Sequence, residues 1–292
     1  MAHILITGAG GQLGREFKIL SALFPDFSFS ALDRSALDIG NAEAVNRYFD
    51  EHAGNYCINC AAYTAVDRAE SEPDLAHLVN VTAVENLAKA CARHTAPLIH
   101  FSTDYVYHND HQNAPFRETE EATPKGVYAR TKLEGEYAAL KNHANSMIIR
   151  TSWVYAAFGH NFYNTMLRLG REREHIRVVF DQIGTPTYAR DLAEAVLRII
   201  QMKERKEKPL DALSGIYHYS NEGVCSWYDF ALAIFELHKI QCSVEPIVTA
   251  DYPTPALRPP FSLLNKAKIK ETFALKIRHW RAALKDCTEK GS

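Results

Sequence analysis

"ILITGAGGQLGREF", residues 4–17, decides the fold. A short apolar run meets four glycines, Gly8, Gly10, Gly11 and Gly14, and a helical pattern begins at Gln12. The register Gly-x-Gly-x-x-Gly fails, because Leu13 occupies the third glycine's place. The register Gly8-x-x-Gly11-x-x-Gly14 fits. In it Gly8 makes a tight turn, Gly11 lets the backbone approach a pyrophosphate, and Gly14 lets the helix close on the strand. The free N–H groups of a helix start, aided by the macrodipole, favour an anion there. A glycine-rich turn that binds nothing is the weaker reading for a motif at the first strand-to-helix junction of a parallel sheet.

Outward from this motif, short apolar runs alternate with helical patterns. "HILIT" is followed by a helix over 12–23, "FSFSAL" by 42–52, "YCINC" by 74–94 and "PLIHF" by 126–143, and "SMIIR" closes the series. Continuous apolar strands separated by helices predict an α/β, doubly wound parallel sheet covered on both faces. After Arg150 the rhythm loosens into a helix near 162–171, a strand "RVVF", a helix from about 190 and a strand "GIYHYS". The proline-rich "DYPTPALRPPF" predicts a smaller, irregular C-terminal substrate-binding domain. The expected division is a dinucleotide-binding domain over 1–151 and a substrate-binding domain over 152–292, with some later segments returning to the first sheet.

Composition narrows the function. The chain has 292 residues, 47% of them hydrophobic, and a formal charge of −2, which leaves no electrostatic footprint for nucleic acid or an anionic membrane. No apolar run has the length of a membrane span, and the first residues do not make a secretory signal, so a cytoplasmic protein with a small-molecule partner is expected. Cys57 and Cys60 form the only C-x-x-C, without a second pair to complete a zinc site, and are read as structural thiols on a short strand. His108 and His111 lack a third ligand in their loop, so no metal is expected there.

Cofactor contacts follow from the second strand. It ends at "ALDRS", which places Asp33 19 residues beyond Gly14, where a carboxylate accepts from adenosine ribose hydroxyls and favours NAD. Arg34 beside it can instead pair with a 2′-phosphate, so NADPH and NADH both stay open.

"GVYARTKLEGEYAALK", residues 126–141, holds tyrosine four before lysine twice, as Tyr128 with Lys132 and Tyr137 with Lys141. With 14 tyrosines in the chain, about one such pair arises by chance. Tyr128 follows Thr103, at the end of the fourth strand, by 25 residues and opens the next helix. Nine steps of about 100° turn Tyr137 to the opposite side, so only one pair faces a site at the carboxyl edge of the sheet. Tyr128 and Lys132 are assigned to it, with the Lys132 ammonium expected to lower the phenol's pKa and Thr103 to hold the substrate oxygen.

These residues resemble the extended short-chain dehydrogenase/reductase family, and within it the dTDP-4-dehydrorhamnose reductases. "TGAGGQLG", "NCAAYTAVDRAE", "FSTDYVY", "YARTKLEGE", "RTSWVY", "NF", "DQIGTPTYARDL", "GIYHYSNEG" and "RPPFSLL" carry the likeness, in order, over nearly the whole chain. It implies a Rossmann-like fold and hydride transfer from NADPH or NADH to C4 of a dTDP-4-keto-6-deoxy sugar. Tyr128 would protonate the developing alkoxide, Lys132 would tune it and hold the nicotinamide ribose, and Thr103 would complete the catalytic group. It also implies cofactor contacts from Gly10 to Leu13, from Asp38 and Ile39, and from Ala61, Ala62 and Tyr63. Asp104, Tyr105 and Trp153 would contact the sugar or close its pocket, and Arg258 would meet the substrate's pyrophosphate. Some relatives bind Mg2+ between subunits; this sequence offers no support for it, and it allows a homodimer without fixing the assembly. Two departures stand out: Ala129 replaces the usual glycine after the tyrosine, and "VYHNDHQNAPF" replaces the more usual Val-Phe-Asp-Gly turn in the loop over the sugar.

Three rival functions have distinct marks. A sugar-nucleotide dehydratase places a glutamate after the aspartate, where this chain has Tyr105 after Asp104. An epimerase keeps its nicotinamide bound through turnover. A regulatory, non-catalytic NADP-binding subunit has no use for an intact Tyr128, Lys132 and Thr103.

Overall fold

A computed structural model describes residues 1–52, 54–109, 112–208 and 213–291, so His111 lies outside the described residues. The first half runs β1 (Ala2–Thr7), α1 (Gln12–Leu20), β2 (Phe27–Leu32), α2 (Ala42–His52), β3 (Tyr56–Asn59), α3 (Val66–Ala69), α4 (Pro73–His77), α5 (Ala83–Arg93), β4 (Leu98–Thr103), α6 (Val127–Asn142) and β5 (Ser146–Thr151). A wide π-turn at Leu78–Thr82 joins α4 to α5, so the helix expected over 74–94 is present with one bulged turn. Then come β6 (Val154–Tyr155), α7 (Phe162–Glu172), β7 (His175–Val179), β8 (Ile183–Gly184), β9 (Thr187–Tyr188), α8 (Ala189–Glu204), β10 (Gly215–His218), β11 (Cys225–Ser226), α9 (Trp227–His238), β12 (Ser243–Ile247), α10 (Ala267–Phe273) and α11 (Trp280–Gly291).

Among the described residues the main sheet has six strands in the order β10-β5-β4-β3-β1-β2. Every pairing in it is parallel. The two-residue period of a strand explains why both faces are apolar. Ile4, Ile6, Ile99 and Phe101 join the cluster with Phe17 of α1 and Leu192 and Val196 of α8. Leu5, Cys57 and Leu98 join the opposite cluster with Phe49 of α2 and Leu87 of α5. Cys57 therefore packs on one face while Cys60 packs against the other, and both are free thiols.

The chain beyond residue 151 serves both parts. β10 lies beside β5, α8 packs on α1, and Phe273 of α10 meets the ring of Tyr217 at 5.4 Å. The remaining segments form a second layer, with short pairs β7 with β12, β8 with β11 and β6 with β9 around an aromatic cluster from α7, α9 and α11. Ser226 and Asp229 close a reciprocal cap at the start of α9, satisfying backbone donors that the helix itself leaves free.

Candidate active site

Strand order reverses between β1 and β3, and open parallel sheets bind ligands at such a point, beyond the strands' carboxyl ends. A cleft of about 490 Å³ lies there. It brings together Gly8, Gly10 and Gly11 after β1, Asp33, Arg34, Asp38 and Ile39 after β2, and Ala61, Ala62 and Tyr63 after β3. Gly8 has φ +68°, and a Cβ there would stand 2.4 Å from Ala61 N. At Gly14 a Cβ would stand 2.4 Å from the Gly8 carbonyl oxygen, so the helix closes on the turn as expected of that position. Gly10 has nothing within 4 Å of its would-be Cβ and faces the open cleft. No side chain caps α1 at Gly11 and its first turn has no acidic residue. Its backbone donors are therefore available to an anion. The site fits a dinucleotide's pyrophosphate.

Gln12 and Leu13 take other partners. Gln12 accepts from Asn161 Nδ2 at 2.7 Å, and Leu13 packs toward the core behind the sheet. Asp33 makes a local turn, its Oδ1 accepting from Ser35 N at 2.9 Å and Ala36 N at 3.1 Å. Those hydrogen bonds, the Ser35 hydroxyl foremost, hold its carboxyl below the usual range and keep it ionised at neutral pH. The sequence reading missed the cleft's apolar wall, Leu37, Leu75, Leu78 and Val79. Its only trace in the sequence is an apolar repeat that a core-facing helix would share.

Tyr63 is held by Asn80, which sits in the π-turn. Asn80 Oδ1 accepts from Tyr63 N at 2.9 Å, and its Nδ2 donates to the Tyr63 carbonyl at 3.2 Å and to Thr131 Oγ1 at 3.1 Å. One buried amide thus ties the loop after β3 to α6. Gly126, at φ +83°, leads into α6, and Glu70 accepts from Val127 N at 2.7 Å to cap the helix.

Thr103 and Asp104 are buried at the end of β4, with Tyr105 and Tyr128 half-buried beside them. The two tyrosine rings meet edge to face with centroids 5.7 Å apart. Lys132 is buried, and its Nζ donates to the Phe101 carbonyl at 2.7 Å. Tyr137, by contrast, is 57% exposed, which leaves the second tyrosine and lysine pair on the outer side of α6.

The phenol's tuning differs from expectation. Burial first, and then the Asp104 carboxylate, push Tyr128 up to about 12, with a hydrogen bond from Thr103 pulling the other way. Residues four apart share a helix face, but only their Cβ atoms are thereby neighbours. The Lys132 head is spent on the Phe101 carbonyl, and burial pulls its own pKa down to about 8. Asp104 is pushed up to about 7 by burial, against hydrogen bonds from Ser262 and Thr103, and its Oδ2 is a buried oxygen without a protein partner.

The other expected substrate contacts lie on the second layer. Trp153, at φ +47°, stacks on Trp227 at 3.6 Å between centroids and leaves no room for a Cβ at Gly184. Arg258 forms a two-pronged pair with Asp67, at 3.1 Å and 2.7 Å, so a phosphate would have to share or replace that carboxylate. Among the described residues no cluster of three or more metal-ligating side chains occurs.

A buried network under α6 was not foreseen. Arg150 forks onto Glu136 with its Nε at 2.9 Å and a terminal nitrogen at 2.6 Å, Ser102 donates to the same carboxylate, and Arg150 also donates to Tyr107. The pairing joins residues on β4, α6 and β5, which no local spacing reveals.

Comparison with known proteins shows the family. The whole chain, residues 1–292, matches the family described as RmlD substrate binding domain. The dTDP-4-dehydrorhamnose reductase of Aggregatibacter actinomycetemcomitans is 43% identical over 292 residues, covering 98% of each chain. A crystal structure of a dTDP-4-dehydrorhamnose reductase from Clostridium acetobutylicum superposes with a TM-score of 0.91 at 40% identity, covering 99% of each chain. One from Bacillus anthracis, in complex with NADP, does so with a TM-score of 0.92 at 36% identity and the same coverage. A glycine cleft at the switch point, a tyrosine and a buried lysine on the helix beside it, and full-length likeness to these reductases lead to one assignment: the chain belongs to the dTDP-4-dehydrorhamnose reductase family.

Proposed function

We propose that this chain catalyses the NADPH-dependent reduction of the C4 keto group of dTDP-4-dehydro-6-deoxy-L-mannose, giving dTDP-L-rhamnose. The observation that carries the reading is the hydrogen bond between Thr103 and Tyr128 at the carboxyl end of β4, with Lys132 buried one turn farther along α6. The relatives named as dTDP-4-dehydrorhamnose reductases, one of them in complex with NADP, support the substrate and the cofactor.

Gly10, Gly11 and the first turn of α1 would hold the pyrophosphate, Asp33 and Arg34 the adenosine ribose or its 2′-phosphate, and Ala61 to Tyr63 the central part of the dinucleotide. When bound, NADPH supplies the hydride that adds to C4. Thr103 holds the keto oxygen, and Tyr128 gives it a proton as negative charge develops. Its raised pKa suits that task, since the phenol stays protonated at neutral pH while a nascent alkoxide is more basic than a phenolate. Lys132 would hold the nicotinamide ribose. Asp104, at about 7, offers the sugar either an acid proton or a carboxylate, with Tyr105 and Trp153 lining the sugar's side and Arg258 meeting its diphosphate.

No helix among the described residues is long and apolar enough to cross a membrane, which suits a reaction in the cytoplasm. The test is to supply dTDP-4-keto-6-deoxy-L-mannose with NADPH, then with NADH, and follow nicotinamide oxidation. Oxidation with formation of dTDP-L-rhamnose is expected. None with either cofactor would put the non-catalytic, NADP-binding reading ahead.

A further inference from the structure

His100 is fully buried on β4, and no step described above uses it. Its surroundings fix where its proton sits. Asn59 Oδ1 accepts from the Ala61 backbone N–H at 3.0 Å and from Thr7 Oγ1 at 2.8 Å. A backbone N–H can only donate, so the orientation of this amide is settled by hydrogen-bond accounting. Asn59 Nδ2 is then the atom 3.1 Å from His100 Nδ1, and it too can only donate. Nδ1 must carry the lone pair. Burial, and then the charge of Lys132, hold the ring well below its usual pKa, so it is neutral and has one proton. That proton is on Nε2, which lies 3.5 Å from Lys132 Nζ.

A ring donor facing Nζ is a poor neighbour for an ammonium and a good one for an amine with a free lone pair. We propose that Asn59 and His100 form a fixed-tautomer relay that biases Lys132 toward its neutral form, making His100 a positioning residue that sets the pH at which the ammonium is lost. The relay crosses three parallel strands, from Thr7 on β1 through Asn59 on β3 to His100 on β4, before reaching α6. Of the groups packed around the pair, those on β1 and β3 are neutral. The opposing charge is Glu136, one turn along α6, which favours the ammonium but acts less strongly than burial. Tyr128 of α6 and Asp104, on the turn after β4, lie close enough to act on each other.

The catalytic consequence rests on the proposed reductase activity, so the experiment has one arm that needs no turnover. In protein carrying 15N-labelled histidine and 13Cε-labelled lysine, the His100 signals should show a pyrrole-type Nε2 and a pyridine-type Nδ1 throughout pH 6 to 9. A pyrrole-type Nδ1 would overturn the relay, and this reading needs no variant. Asn59→Asp keeps the acceptor for Ala61 N and Thr7 but turns the donor into an acceptor, which should draw the ring proton to Nδ1 and present a lone pair to Nζ. The Lys132 titration should then rise by about one unit or more, and the basic limb of kcat/KM should move with it, worth about tenfold in the fraction ionised above the midpoint. A reversed ring with an unmoved Lys132 titration contradicts the proposal. A moved Lys132 titration in a protein that reduces no sugar would leave the relay standing and refute the reductase reading alone.

Discussion

Helix α6 is seated on a bulge: the Asn80 carbonyl oxygen would lie 2.1 Å from any Cβ at Gly135. The π-turn of Leu78–Thr82 pushes this carbonyl into the face of α6, and only a glycine lets the two backbones meet. Gly135→Ala should therefore force α6 outward rather than rearrange a side chain. The expected cost is about 1–3 kcal/mol of stability, read by urea denaturation. Turnover should fall too, because Tyr128 and Lys132 ride on the same helix. An alanine variant of wild-type stability would show that the helix is not seated this way.

The glycines of the first turn separate into structural and ligand-facing positions. Gly14→Ala meets the backbone of Gly8 and Ala9 and should lower stability, whereas Gly10→Ala meets nothing within 4 Å and should fold normally. The added methyl at Gly10 should instead weaken NADPH binding, by roughly 1 kcal/mol or more if it obstructs a pyrophosphate, as titration calorimetry would report. Equal cofactor affinity in the two proteins would place the pyrophosphate elsewhere.

Asp104 gives stability a pH dependence of known sign. Its folded pKa, about 7, lies above the ordinary carboxyl value of 3.8, so between these limits the folded chain binds more protons than the unfolded chain. Its contribution therefore declines as pH rises from about 4 through 7, by on the order of 4 kcal/mol at most. Asp104→Asn should remove that slope. Denaturation midpoints of the two proteins, compared at pH 5 and pH 8, should converge at the lower pH and separate at the higher, with the variant the more stable there. Parallel midpoints would mean that Asp104 is ionised across the range.

Much of this architecture is legible in the sequence, and the failures have a common cause. Alternating strands and helices announce the parallel sheet, and the positions of Gly8 and Gly14 foretell their packing, because these are local patterns. Tyr137 is excluded by helix rotation alone and is found on the outer side. What local spacing cannot tell is where a long side chain's end goes. Lys132 shares a face with Tyr128 yet spends its head on the Phe101 carbonyl, so the expected lowering of the phenol is replaced by a rise. The Asn59 and His100 contact joins two strands 41 residues apart, and the Glu136 and Arg150 pair joins α6 to β5 across the turn between them, so neither shows in a local repeat. Arg258 is legible as a cation near the site, but its bond to Asp67 is not.

The central claim is that the Tyr128 hydroxyl delivers the proton. The measurement is turnover of dTDP-4-keto-6-deoxy-L-mannose by Tyr128→Phe, with NADPH affinity determined on the same preparation. Turnover should fall by roughly a hundredfold or more while affinity stays nearly unchanged, the usual range for removing a positioned acid. Wild-type-like turnover in that variant would contradict the account.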